Sequence, residues 1–413
     1  MQGFVCEVCG SQKFGKQADG RFECEVCHCN YTIEQLRQII SYEATAAPDA
    51  VKVKSADFTI RGGVLEKYNG AATDVVIPDN VSIIGKEAFK NCRGITSVKI
   101  SGSVKTIESS AFEGCTGLTS VTIPDSVTSI GGSAFEGCTG LTSVTIPGSV
   151  TSIGYEAFEG CTNLSAVYIT DLEAWCSSSF AVLDSNPLQI AHNLYINGKL
   201  VTDLVIPDSV TSIGICAFRG CTGLTSVTIP DSVTSIGESA FSGCTGLTSV
   251  TIPDSVTSIG KWSFDGCTGL TSITIPDSVT IIHWGAFKGC TGLTSVTIPT
   301  SVKSIYQKAF LDCSSLTSVT IPDSVTSIGD YAFKGCTGLT SVTIPDSVTS
   351  IGKGAFEGCE GLTSVSVSDE TASRLGIVYL LRSQRIARGV CTRCGGKFNI
   401  FSQCKKCGHK KDY

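Results

Sequence analysis

The sequence contains few residues of the kinds on which enzymes and membrane proteins depend. Methionine occurs once, histidine four times, and charged residues make up only 16% of the 413 residues. No segment approaches the roughly 18 to 20 continuous apolar residues that a transmembrane helix requires. The opening residues, MQGFVCEVCGSQK, lack a basic region followed by an apolar stretch, so no export signal is visible. We therefore expect a soluble, cytoplasmic protein, with a cell-surface location as the alternative.

The 22 cysteines fall into three groups, with five in residues 6–29, four in residues 391–407 and thirteen between them. Eleven of the thirteen recur at a constant step of 23 residues, from Cys92 to Cys161 and from Cys221 to Cys359. Such spacing follows a repeat and not a disulfide pattern. Because free cysteine is among the most buried residue types, these side chains are expected to be small core residues in a reducing compartment.

One 23-residue unit is LTSVTIPDSVTSIGGSAFEGCTG, residues 118–140. Its apolar residues fit neither a helical period nor sustained alternation, so the chain must change direction within each unit. Residues 120–123 alternate and are β-branched, which predicts a short strand that ends at Pro124. Residues 127–130 predict a second extended piece, and residues 133–136 a turn of helix.

A single unit cannot fold alone, because its eight apolar side chains do not offset the entropy of ordering 23 residues. Stacking supplies the missing burial, since each strand pairs with its copies in the adjacent units. The predicted fold is a mainly-β repeat solenoid, curved and built of short parallel strands with helical turns. Two small zinc-ribbon modules are expected to flank it.

The predicted organisation has five parts. They are an N-terminal zinc ribbon (1–31), a short helix and linker (32–50), the solenoid (51–368), a helical connector (369–389) and a C-terminal zinc ribbon (390–413). A longer unit at 162–206 interrupts the period, and in it Asp171 is expected to start a short helix and Asn197-Gly198 to turn a hairpin. In the connector a helix is expected from Leu375 to Ile386.

Residues 64–367 carry the recurring pattern LTSVTIPDSVTSIGxxAFxGCTG and resemble the BspA-like leucine-rich repeats. The Leu-x-x-Leu-x-Leu core of that family appears as Leu118, Val121 and Ile123. The resemblance implies a non-catalytic surface that binds proteins. Some members of the family look like bacterial surface adhesins for host proteins, which makes an adhesin an alternative function for this chain.

Paired Cys-x-x-Cys motifs occur at both ends of the chain, and two such pairs supply the four thiolates of one tetrahedral zinc ion. Full cysteine coordination leaves no open position for water, so both sites are predicted to be structural. His28 and Cys29 are spare donors, and either could replace one ligand of the first site. The eight predicted ligands of the two zinc ions are Cys6, Cys9, Cys24, Cys27, Cys391, Cys394, Cys404 and Cys407.

Charge is distributed unevenly along the chain. From Arg374 onward there are ten basic residues and one acidic residue, whereas the residues before it include 21 basic and 36 acidic ones. The two parts carry +9 and −15, which sum to the net −6. A basic tail of this kind can contact phosphates, so nucleic-acid association through the C-terminal ribbon is an alternative function.

No catalytic constellation is apparent: His192 and His283 are isolated, and no serine has a nucleophile motif. The informative positions follow the Ile-Gly of each unit, where aromatic residues replace Gly, Ser and Glu in several copies. Aromatic side chains on a repeated scaffold are candidate partner hot spots. We therefore predict a non-catalytic scaffold that binds an unknown protein partner. The candidate contact residues are Trp262, Trp284, Tyr306 and Tyr331.

Overall fold

The structure is a computed structural model that describes residues 55–180 and 185–377, together with three strands near the N-terminus. These strands are β1 (Phe14–Lys16), β2 (Phe22–Cys24) and β3 (Asn30–Tyr31), and they form an antiparallel sheet in the order β1-β2-β3. The chain divides into two compact units, unit 1 (Met1–Gly223) and unit 2 (Leu224–Tyr413).

The described repeats begin with a short 3-10 helix and a hairpin. After the 3-10 helix Ser55–Asp57, strand β4 (Phe58–Arg61) pairs antiparallel with β5 (Val64–Tyr68) through Gly62 and Gly63, which both have positive φ. We call each repeat unit of the stack a coil. Strand β5 then pairs in parallel with a strand of the next coil, at Ile83–Ile84. Because β4 runs antiparallel, it occupies the edge of the sheet at which the parallel repeat would otherwise continue.

In unit 1 each coil contributes a first strand of the Ser-Val-Thr type and a second strand of the Ser-Ile type. In chain order they are β6 (Asp74–Val76), β7 (Ile83–Ile84), β8 (Ser97–Lys99), β9 (Thr106–Ile107), β10 (Ser120–Thr122), β11 (Ser129–Ile130), β12 (Ser143–Ile146), β13 (Ser152–Ile153) and β14 (Ala166–Ile169). First strands pair in parallel with first strands and second strands with second strands.

The longer unit adds strands to both sheets, and an antiparallel hairpin ends one of them. Its elements are α1 (Leu172–Ser177), β15 (Ser179–Phe180), α2 (Leu188–Ala191), β16 (Leu194–Ile196) and β17 (Lys199–Leu200), followed by β18 (Asp203–Val205) and β19 (Ser212–Ile213). Helix α1 begins as predicted, because the Asp171 carboxylate accepts a hydrogen bond from Ala174 N at 3.0 Å. The Asn197-Gly198 hairpin is also present, with β17 antiparallel to β16.

Unit 2 repeats the two-strand coil and ends in a helix. Its elements are β20 (Ser226–Thr228), β21 (Ser235–Ile236), β22 (Ser249–Thr251), β23 (Ser258–Ile259), β24 (Ser272–Thr274), β25 (Ile281–Ile282), β26 (Ser295–Thr297), β27 (Ser304–Ile305), β28 (Ser318–Thr320), β29 (Ser327–Ile328), β30 (Ser341–Thr343), β31 (Ser350–Ile351), β32 (Ser364–Ser366) and α3 (Asp369–Arg374).

Strand register places each side chain above its equivalent in the neighbouring coil. Val121 pairs with Val98 and lies inside, whereas Ser120 and Thr122 point outward. The phenylalanines form continuous stacks, with ring centroids 5.1 Å apart between Phe112 and Phe135. Because the same side chain occupies the same position in successive coils, the core of each unit is a set of parallel apolar columns.

The cysteines that recur every 23 residues form a hydrogen-bonded column inside the coils. The Cys138 thiol donates to the Phe112 carbonyl oxygen at 3.1 Å, and the Cys290 thiol to that of Phe264 at 3.2 Å. The thirteen cysteines from Cys92 to Cys359 form no disulfide bonds. The thiol therefore links each coil to the preceding one by a hydrogen bond. A purely apolar side chain has no donor and could not form it.

The predicted turn of helix at 133–136 is wrong. Ser133 and Gly137 have positive φ, which a right-handed helix cannot accommodate. The backbone amide of Phe135 instead donates to Ala157 O in the next coil at 2.7 Å. Inter-coil bonds alternate here with tight-turn bonds such as Glu136 N to Ser133 O at 3.1 Å, and α-helix within the described residues is limited to α1, α2 and α3.

The predicted helix start at Leu375 is also wrong. Helix α3 precedes that residue, begins after the Ser368 cap, and is followed by Gly376 at φ +69°. The cap is strong because the Ser368 hydroxyl accepts from Thr371 N at 3.1 Å. The predicted helix at 32–50, the later part of the connector and the C-terminal ribbon lie outside the described residues.

Candidate functional site: an aromatic surface in unit 2

The aromatic residues singled out in the sequence occupy the turn that follows the second strand of successive coils. In this turn one residue of each coil has positive φ, including Trp262 at +52°, Gly285 at +57°, Lys308 at +60° and Tyr331 at +56°. The left-handed conformation is a property of the repeat, since Ser133 and Ser239 adopt it as well. The position just before the left-handed residue holds the exposed side chains of Tyr155, Ile215 and Trp284, so substitutions at that position change the surface and leave the columns intact.

Trp262 and Trp284 lie together in an edge-to-face arrangement. Their ring centroids are 6.3 Å apart at 65°. The Trp262 indole lies across Gly285 of the next coil, where an added Cβ would be 2.6 Å from Trp262 Nε1 and closer still to Cδ1. Trp262 and Gly285 are therefore a matched pair, in which the absent side chain makes room for the indole. Trp284 remains 43% exposed.

His283 and Tyr306 take the place of the glycine that follows the second strand in most other coils. Their rings meet edge to face at 5.5 Å, and Tyr306 is 40% exposed. Burial, together with the nearby Lys261 charge, lowers the pKa of His283 below its ordinary value. Its Nδ1 atom is buried and has no hydrogen-bond partner in the described part of the chain. A neutral imidazole that packs on a tyrosine fits a contact residue better than a general base.

Tyr331 is the last of these aromatic residues along the chain. Its ring packs over Gly354, where a Cβ would lie 2.7 Å from Tyr331 Cε1. The Lys334 ammonium is 5.2 Å from the ring centroid and pairs with Glu357 at 2.9 Å. The structure thus brings Trp262 to Trp284 and His283 to Tyr306, and it places Tyr331 against the following coil. We refer to His283 and the four predicted contact residues as the aromatic surface.

A small cavity opens within the aromatic surface. It has a volume of about 100 Å³ and is lined by Trp262, Trp284, Lys288, Gln307 and Lys308. We call this cavity with its lining the basic cleft. Ligand sites for whole small molecules are typically ~300 to 1,000 Å³, so the basic cleft is the size of a single partner side chain. The sequence did not single out Lys288 or Lys308, because lysines occur at many surface positions.

A second aromatic contact was missed in the sequence. Tyr168 and Tyr195 stack with centroids 4.7 Å apart on the outer side of β14 and β16. They are 27 residues apart, and the longer unit between them breaks the constant step of 23. Only the parallel pairing of β14 with β16 places them in register, so the sequence offered no signal for this contact.

The described residues contain nothing that resembles a reactive centre. Among them no three His, Cys, Asp or Glu side chains are grouped as a metal site would require. Burial raises the pKa of Cys161 and of Cys290 to about 12, so these thiols stay protonated at neutral pH and are poor nucleophiles. His192 Nδ1 lies 3.0 Å from Gly220 O, which occupies that ring nitrogen in a backbone contact.

The predicted zinc ligands lie outside the described residues, with one exception. Cys24 is the last residue of β2, where its Cα pairs with that of Phe14. Within the part of the chain that the structure describes, no helix is both long and apolar enough to cross a membrane.

Comparisons with known proteins identify the repeats. The profile of the BspA type leucine rich repeat region matches residues 67–184, 189–317 and 304–376. A leucine-rich repeat protein from Eubacterium ventriosum is 25% identical, with 74% of this chain and 89% of that one covered at a TM-score of 0.53. No curated protein matches.

Two further solved structures are similar. A leucine rich cell surface protein from Faecalibacterium prausnitzii is 26% identical, covering 80% of this chain and 98% of that one at a TM-score of 0.45. The pneumococcal vaccine antigen PcpA is 17% identical, covering 78% and 91% at a TM-score of 0.50, and it shares the fold. Because the profile matches more than half of the 413 residues, the chain belongs to the BspA-type leucine-rich repeat family.

Proposed function

We propose that the chain is a non-catalytic protein-interaction scaffold that binds a partner protein through the aromatic surface. The observation that carries the proposal is the exposure of Trp284 and Tyr306 at repeat positions where most other coils have polar residues or glycine. The fold does not need these rings, since coils with Lys261, Asp330 or Lys353 at the Trp284 position stack equally well. Exposed aromatic rings that the fold does not require are typical of binding hot spots.

The test is capture of binding proteins by the full chain from native lysate, compared with a variant carrying Trp262→Ser, Trp284→Ser and Tyr306→Ser. The matched control is Leu200→Ser with Val205→Ser, which removes exposed apolar residues in unit 1. We expect a protein that the wild type and the control retain and the aromatic variant loses. If all three chains retain the same proteins, the aromatic surface is not the binding site.

The proposal includes a structural zinc ion at each end of the chain, held by the two sets of four cysteines predicted from the sequence. The small antiparallel sheet of β1, β2 and β3 supports the first site, since β1 and β2 follow Cys9 in the sequence and β3 follows Cys27. Zinc would stabilise each module by on the order of 10 kcal/mol. Elemental analysis of the purified chain should give two zinc ions, and Cys6→Ser with Cys9→Ser should remove one of them.

The proposed location is the cytoplasm, because the thirteen cysteines from Cys92 to Cys359 form no disulfide bonds, which fits a reducing compartment. A cell-surface adhesin is the alternative, and protease treatment of intact cells distinguishes the two. If the protease digests this protein under conditions that spare internal markers, its location is the cell surface. Nucleic-acid association would depend on the basic tail, nearly all of which lies outside the described residues, so retention of nucleic acid by the aromatic variant would point to that tail.

A further inference from the structure

Unit 1 carries an acidic counterpart of the aromatic surface at the same positions of the repeat. Tyr155 occupies the position of Trp284, Glu156 that of Lys308, and Glu159 that of Lys288. Glu136 lies one coil earlier in the same column as Glu159, and the two coils are joined by Gly137 N donating to Glu159 O at 2.7 Å. We call these four residues, Glu136, Tyr155, Glu156 and Glu159, the acidic patch.

The acidic patch is not neutralised within unit 1. The sequence contains no lysine, arginine or histidine from residue 106 to residue 191. At the repeat position of Glu136 and Glu159, the basic residue in the preceding coils is Lys90, which already pairs with Glu113 at 2.9 Å. Among the described residues no ion pair joins Glu136, Glu156 or Glu159 to a basic side chain. Tyr155 is 49% exposed beside these carboxylates.

The basic cleft of unit 2 carries the opposite charge to the acidic patch. Two indoles and two ammonium groups line it, and its lining contains no carboxylate. Lys288 has one acidic neighbour, Asp265 at 3.3 Å, and Lys261 adds a further positive charge close to His283. A side-chain-sized cavity with aromatic walls and cationic rims favours an aromatic or apolar side chain flanked by carboxylates.

We propose that the acidic patch of one copy of the chain binds the basic cleft of a second copy, with Tyr155 directed into the cavity between Trp262 and Trp284. The inference rests on the proposed function only in that it uses the same aromatic surface. Both surfaces are built on the same turn with the same spacing between coils, so opposite charges at equivalent positions can face one another over two successive coils. The contact joins different surfaces of the two copies, and such heterologous contacts produce rings or open chains of molecules.

The test measures self-association of the full chain by sedimentation velocity at low and physiological salt. One variant carries Lys288→Glu with Lys308→Glu, and a second carries Glu136→Lys with Glu159→Lys. A control with the same charge change as the second is Asp125→Lys with Asp208→Lys, at exposed sites outside both surfaces. Circular dichroism establishes that each variant is folded.

We expect the wild type and the control to associate in a salt-dependent manner, and each charge-reversal variant to associate at least roughly tenfold more weakly. An equimolar mixture of the two variants should recover association, because the reversed cleft of one then faces the reversed patch of the other. Tyr155→Ser should weaken association without altering its salt dependence.

A wild type that remains monomeric up to about 1 mM, the limit of weak specific binding, would overturn the inference. So would equal association of the wild type and both variants, or a mixture that fails to recover it. If the chain is monomeric but still captures another protein through the aromatic surface, the inference fails and the proposed function stands. If it associates but captures nothing else, self-assembly is the function of that surface.

Discussion

The matched pair of Trp262 and Gly285 leads to a sharp prediction for Gly285→Ala. Gly285 has φ +57°, and a Cβ there would meet the Trp262 indole. An alanine in the left-handed region costs about 1 kcal/mol relative to glycine. Displacing the indole from its site adds roughly 1 to 3 kcal/mol, as overpacking of a well-packed site does. The substitution should therefore lower the free energy of unfolding by about 2 to 4 kcal/mol.

A double-mutant cycle separates the two contributions. In a Trp262→Ser background, Gly285→Ala should cost only about 1 kcal/mol, because serine occupies the equivalent left-handed position at Ser239 without obstructing the next coil. Gly266→Ala is the matched control, since Gly266 has φ +72° and its added Cβ would meet no atom nearer than 3.8 Å. It should cost about 1 kcal/mol in either background.

The assay is chemical denaturation followed by circular dichroism, with hydrogen exchange of amides in residues 259–312 to localise the effect. Exchange is needed because long repeat arrays do not always unfold in a single step. A cost of Gly285→Ala that is the same with and without the Trp262 indole would refute the reasoning, since the two residues would then not be coupled.

Three further predictions concern the columns. Phe135→Ala should destabilise unit 1 by about 3 to 5 kcal/mol in chemical denaturation, because Phe135 is fully buried between two stacked rings; a cost below about 1 kcal/mol would contradict this packing. Cys290→Ala should cost about 1 to 2 kcal/mol and Cys290→Ser less, because a hydroxyl still donates to Phe264 O; equal costs would argue against the hydrogen bond. Burial raises the pKa of Cys161 from 9.0 to about 12, so stability should be unaffected by this thiol below pH 9 and fall by about 1.4 kcal/mol per pH unit above it; Cys161→Ala should flatten that slope, and an unchanged slope would rule out the effect.

The repeat made much of the fold accessible from the sequence. The constant step of 23 residues predicted stacked units whose strands pair with their copies, and the alternation at residues 120–123 predicted a short strand. Local chemistry also located α1, since Asp171 is a strong helix cap. These features depend on residues close in sequence or on strict periodicity, which a single sequence displays directly.

The turn after the second strand was mispredicted because alternate backbone amides in it form hydrogen bonds that are not local. Residues 133–136 look compatible with a helical turn, yet the amides of Ser133 and Phe135 bond to carbonyls of the next coil at 2.8 and 2.7 Å. Backbone groups that find partners 22 residues away have no need of a helix. Seven of the eight predicted zinc ligands and the connector beyond residue 377 lie outside the described residues, so the zinc ribbons and that part of the connector stay predictions.

For the candidate site, the sequence determined which residues differ from the repeat, and the tertiary structure decided which of them meet. Trp262, Trp284, Tyr306 and Tyr331 stand out because they break a monotonous pattern. That the Trp262 indole lies across a glycine of the next coil, and that Lys288 and Lys308 complete a cavity with it, depends on how adjacent coils stack. Periodicity fixes the columns to which residues belong, whereas contacts between unlike side chains depend on rotamers and on the space left by neighbouring coils.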